Sequence, residues 1–178
     1  MAMGYSTQRL EVLEISVMPD KLLRQELLLD IQRLLTPAVT YSLSPYFQNI
    51  QSSAAAESWL KTMLKDSQLF AIYDKASNLI IGFFFSSIGK DKSAKGAHIG
   101  YLLGEEYWGQ GLASEMLRGF ISYARQSLQL HSLIGGVEKN NPASSRLLIK
   151  LGFKAQPSEE GQSVIFYALD LTDSAPRE

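Results

Sequence analysis

The residue pattern implies an α/β (α+β) domain, and three stretches imply it together. Ile99 to Ala113, IGYLLGEEYWGQGLA, runs from an apolar segment through the acidic turn Gly104-Glu105-Glu106 into Gly109-Gln110-Gly111-Leu112-Ala113, which opens a helix. Ala113, Met116, Leu117, Phe120, Ala124 and Leu128 then recur at helical spacing and form one apolar stripe. Leu79 to Ile88 is almost unbroken in apolar residues, as expected of a strand covered on both faces. It is too short to span a bilayer.

A strand, a glycine turn and a helix in succession can hold a phosphate group. The first N–H groups of a helix lack intrahelical partners and carry the positive end of its dipole. Glycine lets a ligand approach that backbone closely. A dinucleotide fingerprint needs a third glycine where Ser114 stands, which disfavours a nicotinamide- or flavin-dependent oxidoreductase.

Taken in order, Gln8 to Ser16 reads as a first strand whose alternation slips near Val12-Leu13, where a bulge is expected. Pro19 and Asp20 suit the first turn of a helix with Leu23, Leu27, Ile31 and Leu34 on its inner side, stopped by Pro37. Thr36 to Ser53 is a long irregular link, and its Tyr41, Tyr46 and Phe47 are expected to cover the core. A substrate-facing loop is the alternative. Ser53 is placed to cap a second helix, with Trp59, Leu60, Met63 and Leu64 inward.

Leu69 to Tyr73 and Leu79 to Ile88 form two strands around the turn Asp74 to Asn78, and Gly89 to Gly96, with Lys90, Lys92 and Lys95, is a solvated turn. Ala97 to Leu103 leads into the glycine turn, and Ser132 to Lys139 follows the long helix as a short strand. Asn141 to Phe153, NPASSRLLIKLGF, is a complete short helix: Asn141 as N-cap, Pro142 at N1, Gly152 at C′, and Leu147, Leu148 and Leu151 inward. Val164 to Leu171 supplies a last strand, and Thr172 to Glu178 is expected to fray.

The 178 residues suffice for one domain with a substantial core, spanning 1–178. A net charge of −1 gives no basic footprint for nucleic acid. The absence of cysteine removes disulfides, thiolate metal sites and a cysteine nucleophile, and suits a reducing compartment. The N-terminal segment MAMGYSTQRLEV lacks the apolar region of a secretory signal. A cytoplasmic chain with no membrane partner and no metal is expected.

The two glycine-bearing motifs, IGYLLGEEYWGQGLASEML and NPASSRLLIKLGF, resemble those of the GNAT superfamily of acetyl-CoA-dependent N-acetyltransferases. The first is similar to the RimJ/RimL branch, whose members acetylate protein N-terminal or related amines. The order of elements agrees over nearly the whole chain. The resemblance implies a mixed, mostly antiparallel sheet with helices on both faces and a splayed central strand pair. It implies that acetyl-CoA is the cosubstrate, its diphosphate on the N–H groups of Gly109, Gln110, Gly111, Leu112, Ala113 and Ser114. It further implies that the pantetheine arm lies along Leu102 and Leu103 as an added strand, with Asn141 bonding the arm.

Acyl transfer to an amine needs a base for the ammonium proton, a donor for the thioester oxygen and an acid for the departing thiolate. Without cysteine, direct attack in a ternary complex replaces a cysteine acyl-enzyme. By resemblance the oxygen takes the Leu103 N–H. Many family members place a tyrosine acid where this chain has Leu148, and the RimJ/RimL branch suggests Ser144 instead. Ser144 could equally satisfy first-turn backbone groups. The branch often has a glutamate base where this chain has His98, a residue type that exchanges protons near neutral pH. Glu138 is a second candidate base. Glu105 and Glu106 read as turn residues and His131 as a helix-end residue. A catalytically silent acyl-CoA-binding module on the same scaffold is the competing reading. The acceptor (protein N-terminus, polyamine, amino acid or antibiotic-like amine) stays open, as does monomer against homodimer.

Overall fold

The computed structural model describes residues 3–16, 18–88, 95–159 and 161–172. Its strands are β1 (Gly4–Ser6), β2 (Leu10–Ile15), β3 (Gln68–Asp74), β4 (Ile80–Ile88), β5 (Gly96–Leu103), β6 (Ser132–Glu138), β7 (Lys154–Ala155) and β8 (Val164–Asp170). Its α-helices are α1 (Lys21–Leu34), α2 (Pro37–Thr40), α3 (Ser53–Asp66), α4 (Leu112–Gln126) and α5 (Pro142–Lys150). One sheet runs β1-β2-β3-β4-β5-β6-β8-β7. Every neighbouring pair is antiparallel except β5 and β6.

Strand alternation sends side chains to two cores. Phe70, Ile72, Phe84, Ala97, Ile99 and Leu103 pack with Met116, Leu117 and Phe120 of α4 and Leu148 of α5. Leu69, Ala71, Phe83 and Leu102 pack with Ile31 and Leu34 of α1 and Trp59 and Leu60 of α3. Helices therefore cover both faces, as expected. Among the described residues no helix is long and apolar enough to cross a membrane.

Several local expectations are corrected. β2 pairs without interruption through Val12 and Leu13, so the expected bulge is absent there; the irregularity lies in the β3–β4 register at Ile72/Tyr73. The slip in alternation reflects a change of face: Leu10 and Val12 are buried in the core with α4, whereas Ile15 packs on the core with α1 and α3. β1, a strand the pattern did not reveal, pairs along the outer edge of β2. In α1, capped by Asp20, Leu28 is buried and Leu23 is exposed. The helix ends before Pro37, which opens α2 under a Thr36 cap. Ser52 rather than Ser53 caps α3, accepting from the Ala55 N–H at 3.1 Å. Within the 36–53 link Phe47 is buried, but Tyr41 and Tyr46 are exposed. Most of the turn expected over Gly89 to Gly96, with Lys90 and Lys92, and the tail beyond Thr172 lie outside the described residues.

An aromatic cluster joins the N-terminal hairpin to α4. Phe120 is fully buried, its ring centroid 4.2 Å from Phe84 and 6.1 Å from Tyr5. The Tyr5 hydroxyl donates to the Met116 carbonyl at 2.9 Å, and burial pushes its pKa upward. A Cβ at Gly119 would stand 2.6 Å from the Tyr5 ring and 2.7 Å from Thr7 Cγ2. The glycine costs α4 about 1 kcal/mol of helix propensity, yet it lets the hairpin lie directly on the helix. Phe120→Ala is expected to lower stability by about 3–5 kcal/mol, read from urea denaturation.

Candidate active site

β5 and β6 run parallel but pair only over Gly96–Ile99 against Ser132–Gly135. Beyond that point β5 continues to Leu103 held by β4, and β6 continues to Glu138 held by β8. The two strands therefore part at Ile99 and Gly135. The Gly104 N–H donates to the Ile81 carbonyl at 3.0 Å, which fixes the hydrogen-bonding phase of β4 and β5. Alternation in an antiparallel ladder then turns the main-chain groups of Gly100 and Leu102 toward β4, and those of Tyr101 and Leu103 into the gap. The Leu103 carbonyl accepts from the Trp108 indole at 2.8 Å. Its N–H is thus not an ordinary rung of the β4 ladder.

The gap ends at the glycine turn. Gly109 and Gly111 have φ of 71° and 76°, a left-handed conformation that glycine adopts without strain. Gly111 precedes the first residue of α4 and brings no side-chain cap, which leaves the opening N–H groups of the helix without a capping side chain from the turn. The Gln110 side chain turns away to donate to the Glu106 carbonyl at 2.8 Å. Glu105 and Glu106 act as turn residues with structural partners: the Thr36 hydroxyl donates to Glu105 at 2.6 Å, and Arg33 donates to Glu106 at 3.2 Å.

α5 forms the opposite wall. Asn141 caps it, Oδ1 accepting from the Ser144 N–H at 3.2 Å. The Tyr101 hydroxyl donates to Ser144 Oγ at 3.3 Å. Burial raises the Tyr101 pKa, and the bond to Ser144 offsets only part of that rise. The resulting cleft has a volume of about 660 Å³. Leu102, Leu103, Gly109, Gly111, Leu112, Ala113, Ser114, Asn141 and Ser144 line it, together with Tyr101, Trp108 and the α2 segment around Val39 and Leu43. A second groove of about 840 Å³ runs outside α4 against the N-terminal hairpin and shares Gly111, Ser114 and Lys150 with the first.

The family model "Acetyltransferase (GNAT) domain" matches residues 23–154. The chain belongs to the GNAT acetyltransferase family. An uncharacterized N-acetyltransferase, p20, of Bacillus licheniformis is 36% identical over 88 residues, 49% of this chain and 48% of that protein. The [ribosomal protein uS5]-alanine N-acetyltransferase of Escherichia coli K12 is 30% identical over 88 residues, 49% of this chain and 45% of that protein. The chain thus spans about half the length of the curated relatives it matches. Among solved structures, the ribosomal L7/L12 α-N-protein acetyltransferase RimL in complex with coenzyme A superposes with a TM-score of 0.72 at 20% identity. That superposition covers 96% of this chain and 98% of the other. The microcin C7 self-immunity acetyltransferase MccE, in complex with acetyl-CoA and AMP, gives 0.70 at 19% identity, over 92% and 93% of the two chains. At these identities the likeness is one of fold.

In this GNAT chain not every residue singled out from sequence reaches the cleft. His98 is exposed on the other face of β5, its ring 6.5 Å from Phe166 and nearly perpendicular to it, and it does not line the cleft. Glu138 ends β6, half-buried. His131 lies past the end of α4, its N–H donating to the Lys95 carbonyl and its carbonyl accepting from Leu171. Tyr101 and Trp108 also line the cleft and were not singled out from sequence, although both stand inside the motif. Period-2 counting back from the glycine turn would have set Tyr101 on the same face as Leu103. Among the described residues no group of three or more His, Cys, Asp or Glu side chains could hold a metal ion. Asn141→Ala should lower stability by about 1 kcal/mol through loss of the cap. Asn141→Asp, which keeps the capping oxygen, should restore it in the same denaturation experiment.

Proposed function

We propose that this chain is an N-acetyltransferase that moves an acetyl group from acetyl-CoA to a primary amine, of a protein N-terminus or a small molecule, by direct attack in a ternary complex. The supporting observation is the parting of β5 from β6 beside an uncapped glycine turn. An extended, amide-bearing tail fits that gap as a strand, and a diphosphate fits the helix N-terminus. The similarity to a ribosomal-protein alanine acetyltransferase favours an N-terminal amine as acceptor.

Acetyl-CoA supplies the acetyl group already activated as a thioester. The N–H groups from Gly111 to Ser114 receive the diphosphate. The Leu103 N–H, nearer the turn, meets the pantetheine arm, and the Tyr101 N–H, deeper in the gap, donates to the thioester oxygen. This order along the strand moves the oxyanion role from Leu103 to Tyr101. Leu102 contributes its side chain to the cleft, its own N–H being turned toward β4. Asn141 Nδ2 is left to donate to the arm while Oδ1 caps α5.

When the C–N bond forms and the C–S bond breaks, the thiolate takes the Ser144 proton, and Ser144 Oγ is reprotonated by the Tyr101 hydroxyl. Tyr101 is the acid of this relay, and its raised pKa keeps it protonated through the neutral range. The acceptor approaches over the exposed stretch of β5, β6 and β8 where His98, Gly136 and Phe166 stand, and His98 takes the ammonium proton through water. With this acid in place the altered Leu148 position gives no reason to favour a silent binding module.

Free-thiol release from acetyl-CoA across a panel of amines tests the reading. Coenzyme A binding without release for any amine would instead favour the binding module. Tyr101→Phe and Ser144→Ala are each expected to lower kcat about 100-fold with little change in coenzyme A affinity. Because the acid must hold its proton, the alkaline limb of the wild-type rate should begin only above pH 10, and Tyr101→Phe should lack that limb. His98→Ala should slow turnover and leave coenzyme A affinity intact; an unchanged rate would remove His98 from the mechanism.

A further inference from the structure

We infer that Arg9, on the N-terminal hairpin, is a positioning residue that sets the glycine turn for the diphosphate of coenzyme A. The inference rests on the cofactor placement proposed above. It concerns a part of the chain that lies outside the stretch matched by the family model. Arg9 Nη1 donates to the Gln110 carbonyl at 3.0 Å, in the middle of the turn. Its Nε donates to Glu115 Oε2 at 2.7 Å, and its main-chain N–H donates to Glu115 Oε1 at 2.7 Å. The Thr7 hydroxyl adds a third donor to the Glu115 carboxylate, reaching Oε1 at 2.6 Å. One guanidinium thus joins the hairpin, the turn and the first turn of α4.

Two consequences follow from elementary chemistry. In a planar trans peptide the carbonyl and the next N–H point in opposite directions. Holding the Gln110 carbonyl toward Arg9 therefore aims the Gly111 N–H away from it and fixes the turn's donor set. Glu115 also places a carboxylate beside a site for a dianion. Burial works to raise its pKa, but the hydroxyl, main-chain and guanidinium donors outweigh burial and hold it charged. Arg9 neutralises that charge at the place where it would repel the ligand. A Cβ at Gly111 would stand 3.7 Å from Arg9 Nη2, so the cation is close to the turn itself.

A lysine keeps the charge but cannot hold a carboxylate and a carbonyl from one rigid fork. The test therefore compares Arg9→Met and Arg9→Lys with wild type. Coenzyme A is titrated by calorimetry, pantetheine (which lacks the diphosphate) by NMR, and melting temperatures report folding. Both variants should bind coenzyme A about 10-fold more weakly, bind pantetheine within twofold of wild type, and show faster amide exchange at Gly111 and Leu112. Wild-type affinity for coenzyme A in Arg9→Met would overturn the inference. Full rescue by lysine would reduce Arg9 to a diffuse charge, and a parallel loss of pantetheine binding would make it a general structural prop; either overturns it. Should Arg9→Met fail to fold, Arg9→Lys still decides between these outcomes. Failure of wild type to bind coenzyme A would instead overturn the cofactor placement itself.

Discussion

Main-chain groups inside a sheet must find partners, and one interruption of that rule shapes this molecule. β5 and β6 are central strands, yet they pair over four residues each and then diverge. Unpaired N–H groups of an interior strand cost free energy if they are buried dry. The fold keeps the gap open to ligand and solvent rather than closing it with side chains. Parallel pairing helps, because the two strands are joined through the long α4 crossover and not by a tight hairpin that would hold their ends together. The same crossover begins at the glycine turn, so the gap and the helix N-terminus share one mouth.

An open gap needs walls fixed by something other than the ladder. On the β5 side the Trp108 indole occupies the Leu103 carbonyl, which leaves the strand's N–H groups as its available donors there. At the turn, Arg9 fixes the Gln110 carbonyl from the hairpin, and that hairpin is seated by Tyr5 and Thr7 against Gly119. On the far wall the Asn141 cap orders the first turn of α5 and with it Ser144. Each bond alone is worth about 1 kcal/mol, less where solvent screens it. The Arg33–Glu106 pair, with both partners well exposed, adds little. The rigidity of the site comes from seating each bond on a buried element.

The fold was legible where periodicity and caps agree. The long apolar run of β4, the stripe of α4 and the Asn141-Pro142…Gly152 helix each carry two independent signals, and each stands where those signals put it. Short elements with one signal were not legible. β1 is three residues long and declares itself only by pairing with β2. Leu23 repeats at helical spacing yet is exposed, because α1 leans on the sheet through Leu27, Leu28, Ile31 and Leu34. In the site, the family resemblance pointed to Leu102 and Leu103 together. Their opposite hydrogen-bonding directions depend on the β4–β5 phase, which no single strand encodes. The Tyr101–Ser144 contact joins residues 43 apart in sequence, on a strand and a helix brought together by tertiary packing.

That contact bears on why Leu148 stands where many relatives have a tyrosine. Leu148 is almost fully buried, and its Cδ1 lies 3.0 Å from where a Cβ of Gly135 would be. Gly135 is the β6 residue at which the two strands part, so the leucine fills the floor of the fork from the helix side. A tyrosine there would have to displace that packing or direct its hydroxyl elsewhere. Tyr101, on β5, reaches the same helix from the strand side with its ring buried and its hydroxyl on Ser144. In the proposed mechanism, packing and proton donation, which one tyrosine would combine, are divided between a leucine that closes the fork and a strand tyrosine whose main chain and side chain both serve the gap. On this account the chemistry is tied to the register of β5. Moving that strand by one residue would turn the Tyr101 N–H toward β4 and its hydroxyl to the opposite face, removing oxyanion donor and acid in a single step.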